Sequence, residues 1–163
     1  MKLYLMRHGI AHDSAESGLD ADRALTPKGR DRVRDVAAYL LREAEVPLHI
    51  VSSPLVRALQ TAEIVAATTA VRDRAGSVTV RRELAAGGLA IVDELRAKPM
   101  KRTMLVGHEP DMSMLASHLL GTLLHVPFGK AMVIGFSLDG ADAKFRFILD
   151  PTELRIRRAE KRS

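Results

Sequence analysis

Short apolar runs alternate with helix-spaced apolar residues along this chain, and that alternation constrains the fold more than any other feature. Strand patterns separated by helical patterns call for an α/β fold with a largely parallel sheet. Lys2–Arg7 reads as the first strand, and the small, polar residues 13–25 read as a loop. Thr26 then offers an N-cap, and Pro27 a first helical residue whose missing N–H costs nothing. Val33, Val36, Ala37, Leu40, Leu41 and Ala44 follow on one helical face, and Pro47 closes that helix. His49–Ser52 reads as a second strand. Ser53-Pro54 repeats the cap-then-proline start and opens a helix carrying Leu55, Leu59, Ala62 and Val65. Val78–Leu84 reads as a strand, Leu89–Ala97 as a helix, and Arg102–Gly107 as a buried strand. Pro110 opens a helix that Gly121 stops. Ala131–Leu138 and Lys144–Leu149 flank Asp139-Gly140-Ala141-Asp142, the pattern of a β-hairpin. The expected architecture is a three-layer α/β/α sandwich with a mostly parallel central sheet and an antiparallel edge hairpin.

A chain of 163 residues suits one domain, and its 47% apolar content can fill a core. Aromatic residues are only 4%, so that core must be aliphatic. The absence of Cys excludes a disulfide framework, a thiolate zinc site, an iron–sulfur cluster and a cysteine nucleophile. The net charge is +5, which composition alone cannot assign to a nucleic acid, an anionic surface or an anionic substrate. Three of those five charges fall in residues 151–163, where five basic residues face two acidic ones. That segment reads as a solvated, frayed basic tail behind a domain spanning 1–150. The apolar stretch after Lys2 is cut by Arg7 and His8, short of the roughly 7–15 apolar residues of a secretory signal. No run approaches the roughly 18–20 apolar residues of a membrane span. The expectation is a soluble cytoplasmic protein without a membrane partner.

Open α/β sheets place ligands beyond the carboxyl ends of their strands, and three segments stand there. Arg7-His8-Gly9 follows the first strand. In Ser53-Pro54-Leu55-Val56-Arg57 a strand ends and a helix begins, with Arg57 in the first turn. A helix N-terminus with an arginine beside it suits an anion. Gly107-His108-Glu109-Pro110 is again a strand end followed by a helix start. The three bring two histidines and two arginines to one edge of the sheet. Arginine forks match phosphate oxygens, and a neutral histidine is a nucleophile near pH 7. This set suits phosphoryl transfer through a phosphohistidine intermediate.

These segments carry a family resemblance. Leu5-Met6-Arg7-His8-Gly9 resembles the Arg-His-Gly signature of the histidine phosphatase (phosphoglycerate mutase-like) superfamily. The Ser-Pro-x-x-Arg-x-x-Gln-Thr run at 53–61 and Gly107-His108 resemble its second and third motifs, in the same order. The short chain, Ala11, and Arg23-Ala24-Leu25-Thr26-Pro27-Lys28-Gly29 resemble the SixA-type phosphohistidine phosphatases. The resemblance covers roughly residues 1–150. It implies that His8 is the nucleophile, that Arg7 and Arg57 bind phosphoryl oxygens, and that His108 donates a hydrogen bond to them. It also implies a phosphate-pocket role for Arg23, with Asp20 assisting, and offers Glu83 as a general acid. A neutral imidazole needs less help in leaving than an alkoxide does, so a weakly defined acid suits a phosphohistidine substrate. Arg57 and His108 stand 51 positions apart, too close for a large lid. Two nearby arginines should lower the His8 pKa, and activity is expected to fall below about pH 6.

The expected substrate is a phosphohistidine-bearing protein, with a small phosphorylated compound as the alternative. No metal or cofactor is expected. Asp20-Ala21-Asp22 has the Asp-x-Asp spacing of another phosphatase class but does not follow a strand. A nucleic-acid partner is not expected; an inactive family member binding anions or nucleic acid through the basic tail is the non-enzymatic alternative.

Overall fold

In the computed structural model, residues 1–70 and 76–158 are described. In chain order the elements are β1 (Lys2–Arg7), α1 (Pro27–Arg42), β2 (His49–Ser52), α2 (Val56–Thr68), β3 (Ser77–Val80), α3 (Leu89–Ala97), β4 (Thr103–Gly107), α4 (Asp111–Leu120), β5 (Val133–Asp139), β6 (Asp142–Asp150) and β7 (Arg155–Arg158). Two short 3-10 turns, Asp20–Asp22 and Arg82–Ala85, lie between them. The strands form one sheet in the order β3-β2-β4-β1-β5-β6-β7. Its first four strands run parallel, and β5, β6 and β7 add on in turn, each antiparallel to its neighbour.

Strand side chains alternate between the two faces, so each face acquires its own core. Tyr4 and Met6 of β1 and Met104 and Val106 of β4 pack with Val33, Val36 and Leu40 of α1 and with Ala58, Ala62 and Val65 of α2. Leu3, Leu5 and Leu105 point the other way, into a core with Ile91 and Leu95 of α3 and Met112 and Leu115 of α4. Two helices on each face make the three layers that the alternating pattern implies.

Thr26 caps α1 as the sequence indicates, its hydroxyl accepting the Gly29 N–H at 2.9 Å with Pro27 as the first helical residue. Four expectations need correction. Helix α1 stops at Arg42, well before Pro47, because Ala44 turns to φ 56° and its N–H closes onto the Leu41 carbonyl. Ser53 does not cap α2. Leu55 holds that position, and the Ser53 hydroxyl is used elsewhere. Strand β3 ends at Val80, since Arg82–Ala85 coil into a 3-10 turn that buries Leu84 beneath α3 and α4. The basic tail is not frayed as far as Arg158. Residues Arg155–Arg158 form β7, and Leu154 and Ile156 pack against the α1–α2 core.

Candidate active site

The parallel course of β1, β4 and β2 places their carboxyl ends side by side. Each strand delivers one residue there: His8 after β1, Ser53 after β2 and His108 after β4. Ladder hydrogen bonds continue past the strand ends and hold them, His8 N to the Gly107 carbonyl at 3.0 Å and Ser53 N to the Val106 carbonyl at 3.0 Å. Gly9 is required by packing. A Cβ there would lie 2.7 Å from Val33 Cγ2 and 3.2 Å from the Gly29 carbonyl oxygen, so α1 can approach only a glycine. The Gly9 N–H donates to Thr61 Oγ1 at 3.1 Å, and Thr61 donates to the Arg57 carbonyl at 2.7 Å. Gln60 accepts the Leu25 N–H at 2.8 Å, which ties the 13–25 loop to α2. The Gln-Thr pair of the second segment therefore joins the segments to one another.

His8 and His108 are both buried, with ring centroids 5.1 Å apart. His8 Nδ1 lies 2.7 Å from the Gly9 carbonyl, an acceptor only, so in the neutral ring Nδ1 carries the proton and Nε2 is left with a bare lone pair. Burial pushes the His8 pKa down to about 3, and repulsion from His108, Arg57 and Arg7 acts in the same direction against the Gly9 hydrogen bond. Burial, with Arg57, likewise lowers His108 to about 4. This corrects the expectation that protonation of His8 sets an acid limit near pH 6. Desolvation exceeds the effect of the arginines and keeps the nucleophilic form present well below that pH.

Arg57, buried in the first turn of α2, donates from Nη1 to the Asp20 carbonyl at 2.8 Å and from Nη2 to the Asp20 carboxylate at 3.0 Å. Arg23 Nε reaches the other carboxylate oxygen at 2.8 Å, and Arg23 Nη1 donates to the His12 carbonyl at 3.0 Å. Asp20 thus links the two arginines, and their hydrogen bonds hold its carboxyl below the ordinary range, Arg57 most strongly. Arg7 Nη1 donates to the Phe128 carbonyl at 2.9 Å. The Nε atoms of Arg7 and Arg57 and His108 Nδ1 are buried with no hydrogen-bond partner among the described residues. Glu83 is differently placed. It lies on the Arg82–Ala85 turn, paired with Arg81 at 2.8 Å, and that pairing lowers its carboxyl to about 2. None of its hydrogen bonds among the described residues reaches His8, Arg7, Arg57 or His108.

The structure therefore gathers His8, His108, Arg57, Asp20 and Arg23 through contacts or fields, with Arg7 near enough to act on both histidines. Ser53, Thr61 and Gln60 are additional members. A bare imidazole nitrogen beside cationic guanidinium groups can attack a tetrahedral oxyanion centre and stabilise the charge that develops there.

These features define a phosphoglycerate mutase-like fold with the candidate site at its strand ends. Residues 3–81 match the family model of the histidine phosphatase superfamily (branch 1). An uncharacterized protein of Picosynechococcus sp. is 39% identical over 145 residues, 83% of this chain and 84% of that protein. The chain belongs to the histidine phosphatase superfamily. The structure of the protein histidine phosphatase SixA complexed with tungstate matches with a TM-score of 0.83 at 26% identity, over 95% of this chain and all of that one. A phosphoserine phosphatase of Entamoeba histolytica, in complex with 3-phosphoglyceric acid, shares the fold with a TM-score of 0.66 at 18% identity, over 88% of this chain and 94% of its own.

Proposed function

We propose that this phosphatase carries the phosphoryl group on His8 and acts on phosphohistidine borne by a protein. The observation that carries the reading is the fixed tautomer of His8: Nδ1 is committed to the Gly9 carbonyl, leaving Nε2 as the nucleophile in a site that keeps the ring neutral. Nε2 attacks phosphorus, the bond from phosphorus to the substrate nitrogen breaks, and a substrate ring already protonated on its other nitrogen leaves as neutral imidazole. Water then attacks the phosphoryl group on His8, releasing phosphate and restoring the free ring. Arg7 and Arg57 bind the phosphoryl oxygens, His108 donates to them, and Arg23 and Asp20 hold the rim of the pocket. Glu83, ionised against Arg81, is poorly suited to protonate a leaving group, and this chemistry does not require it to.

The likeness to SixA supports the choice of substrate, and the tungstate in that structure is a tetrahedral oxyanion, as phosphate is. Between α2 and β4 the described chain forms one short strand, one 3-10 turn and one helix. So short a connection, without room for a large insertion over the strand ends, suits a side chain presented by another protein. The test is to mix the protein with a labelled phosphohistidine protein and quench it. Acid-labile label on His8, absent from His8→Ala, is expected, together with faster turnover of that substrate than of sugar phosphates. Turnover unchanged in His8→Ala would overturn the route through His8. A preference for sugar phosphates would instead assign the site to small esters.

A further inference from the structure

Ser53 is completely buried, and its hydroxyl lies 2.7 Å from His108 Nε2. Its backbone N–H is held by the Val106 carbonyl and its own carbonyl by the Ser52 hydroxyl, so its position follows from the β2–β4 ladder. We propose that Ser53 is a positioning residue that selects the tautomer of His108, leaving the proton on Nδ1 as the donor offered to the phosphoryl group. The phosphoryl part rests on the function proposed above; the tautomer does not.

The hydrogens around the Ser53 hydroxyl decide the tautomer. The Ser53 hydroxyl has one proton to give, and it already accepts the Leu55 N–H at 3.3 Å. Burial keeps His108 neutral, with a pKa near 4, so one ring nitrogen carries a proton and the other a lone pair. If Nε2 carried the proton, Nε2 and Leu55 would both donate to the same oxygen. The Ser53 proton would then be buried without an acceptor, since no other acceptor of it exists among the described residues. The Nδ1 lone pair would also lack a partner, so two buried groups would go unmet, which native interiors rarely allow. With the proton on Nδ1, Ser53 donates to Nε2 and only Nδ1–H is left without a partner among the described residues.

The consequence falls on the other side of the ring. His108 Nδ1 is buried and has no partner among the described residues, in a ring 5.1 Å from that of His8. As a donor it would meet the oxygens of a phosphoryl group on His8 favourably. As a bare lone pair it would repel them. Ser53 thus sets the sign of the interaction without touching substrate.

The experiment reads the tautomer directly. In ¹⁵N-histidine-labelled protein, nitrogen–proton correlations of the His108 ring, assigned by their loss in His108→Gln, are expected to show a protonated Nδ1 and a bare Nε2. Ser53→Ala is expected to shift the ring toward the Nε2-protonated form and to weaken tungstate binding about tenfold, the scale of one lost hydrogen bond to a charged group. A protonated Nε2 in the unmodified protein would overturn the proposal. So would a Ser53→Ala variant with both the tautomer and tungstate affinity unchanged. Failure of the function proposed above would show elsewhere, as absence of label on His8, while the tautomer measurement would stand.

Discussion

Arg57 gives both terminal nitrogens of its guanidinium to a single residue, Asp20, one to the backbone carbonyl and one to the carboxylate. A phosphoryl group bound by Arg57 must share that cation with a carboxylate already in place. The Asp20 side chain is 67% exposed, and ion pairs at such sites contribute little. A dianion can therefore displace it at small cost. Asp20→Asn keeps a hydrogen-bond acceptor and removes the competing charge. It is expected to tighten tungstate binding by roughly fivefold at low salt, a gain that shrinks as ionic strength rises. Calorimetric titration checks this, and weaker binding would mean that the carboxylate mainly orients Arg57.

Arg57 itself is expected to be irreplaceable by lysine. Its two terminal nitrogens diverge from one rigid plane, and the chain around it is fixed by Thr61. An ammonium keeps the charge and loses the fork. Arg57→Lys should lower kcat/KM by about 10²–10³-fold, the usual loss when a donor to a transition-state oxyanion is removed. A loss under tenfold would show that charge alone suffices.

Glu83 supplies the opposite expectation. Arg81 holds it ionised, and a neutral imidazole leaving group needs no strong acid. Glu83→Gln should change turnover of a phosphohistidine protein by less than about threefold. A drop of about a hundredfold or more would restore Glu83 as the proton donor.

Where local patterns carried the information, the sequence was sufficient. The Thr26-Pro27 cap, the ends of β2 and α3, and the placing of three chemistry-bearing segments at strand ends all follow from spacing over a few residues. Strand β7 was hidden because Arg155, Arg157 and Arg158 dominate its composition. Leu154 and Ile156, two apart, were the period-two signal that survived among the charges. Ser53 looked like a helix cap because serine before proline ordinarily is one. Its partner His108 is 55 positions away and reaches it only because β2 and β4 pair in the sheet. The Asp20 link to Arg57 likewise joins loop and helix across 37 positions. In the sequence Gly29 is legible only as part of a motif. The structure gives its physical reason: a Cβ there would sit 2.0 Å from the Ile10 carbonyl oxygen, so α1 could not seat against the segment after His8.

The two site histidines should also be visible as a pH dependence of stability. Both have folded-state pKa values below the ordinary 6.5, His8 about 3 and His108 about 4, because burial disfavours the imidazolium. The unfolded chain therefore binds protons first as pH falls, and stability declines from about pH 6.5 downward. Between pH 7 and pH 5 each ring should cost about 2 kcal/mol, an upper figure that relaxation of the site would reduce. The shifted carboxylates act lower. Glu45, drawn down to about 2 by Arg146, Lys2 and Tyr4 against its burial, loses its contribution only as pH falls below its ordinary 4.5. The window from pH 5 to pH 6.5 thus isolates the histidines. Urea titrations across it should show stability falling with acidity in the unmodified protein, and a shallower fall in His108→Gln. An equal slope in the two proteins would mean that His108 takes up its proton in the folded state as readily as in the unfolded chain.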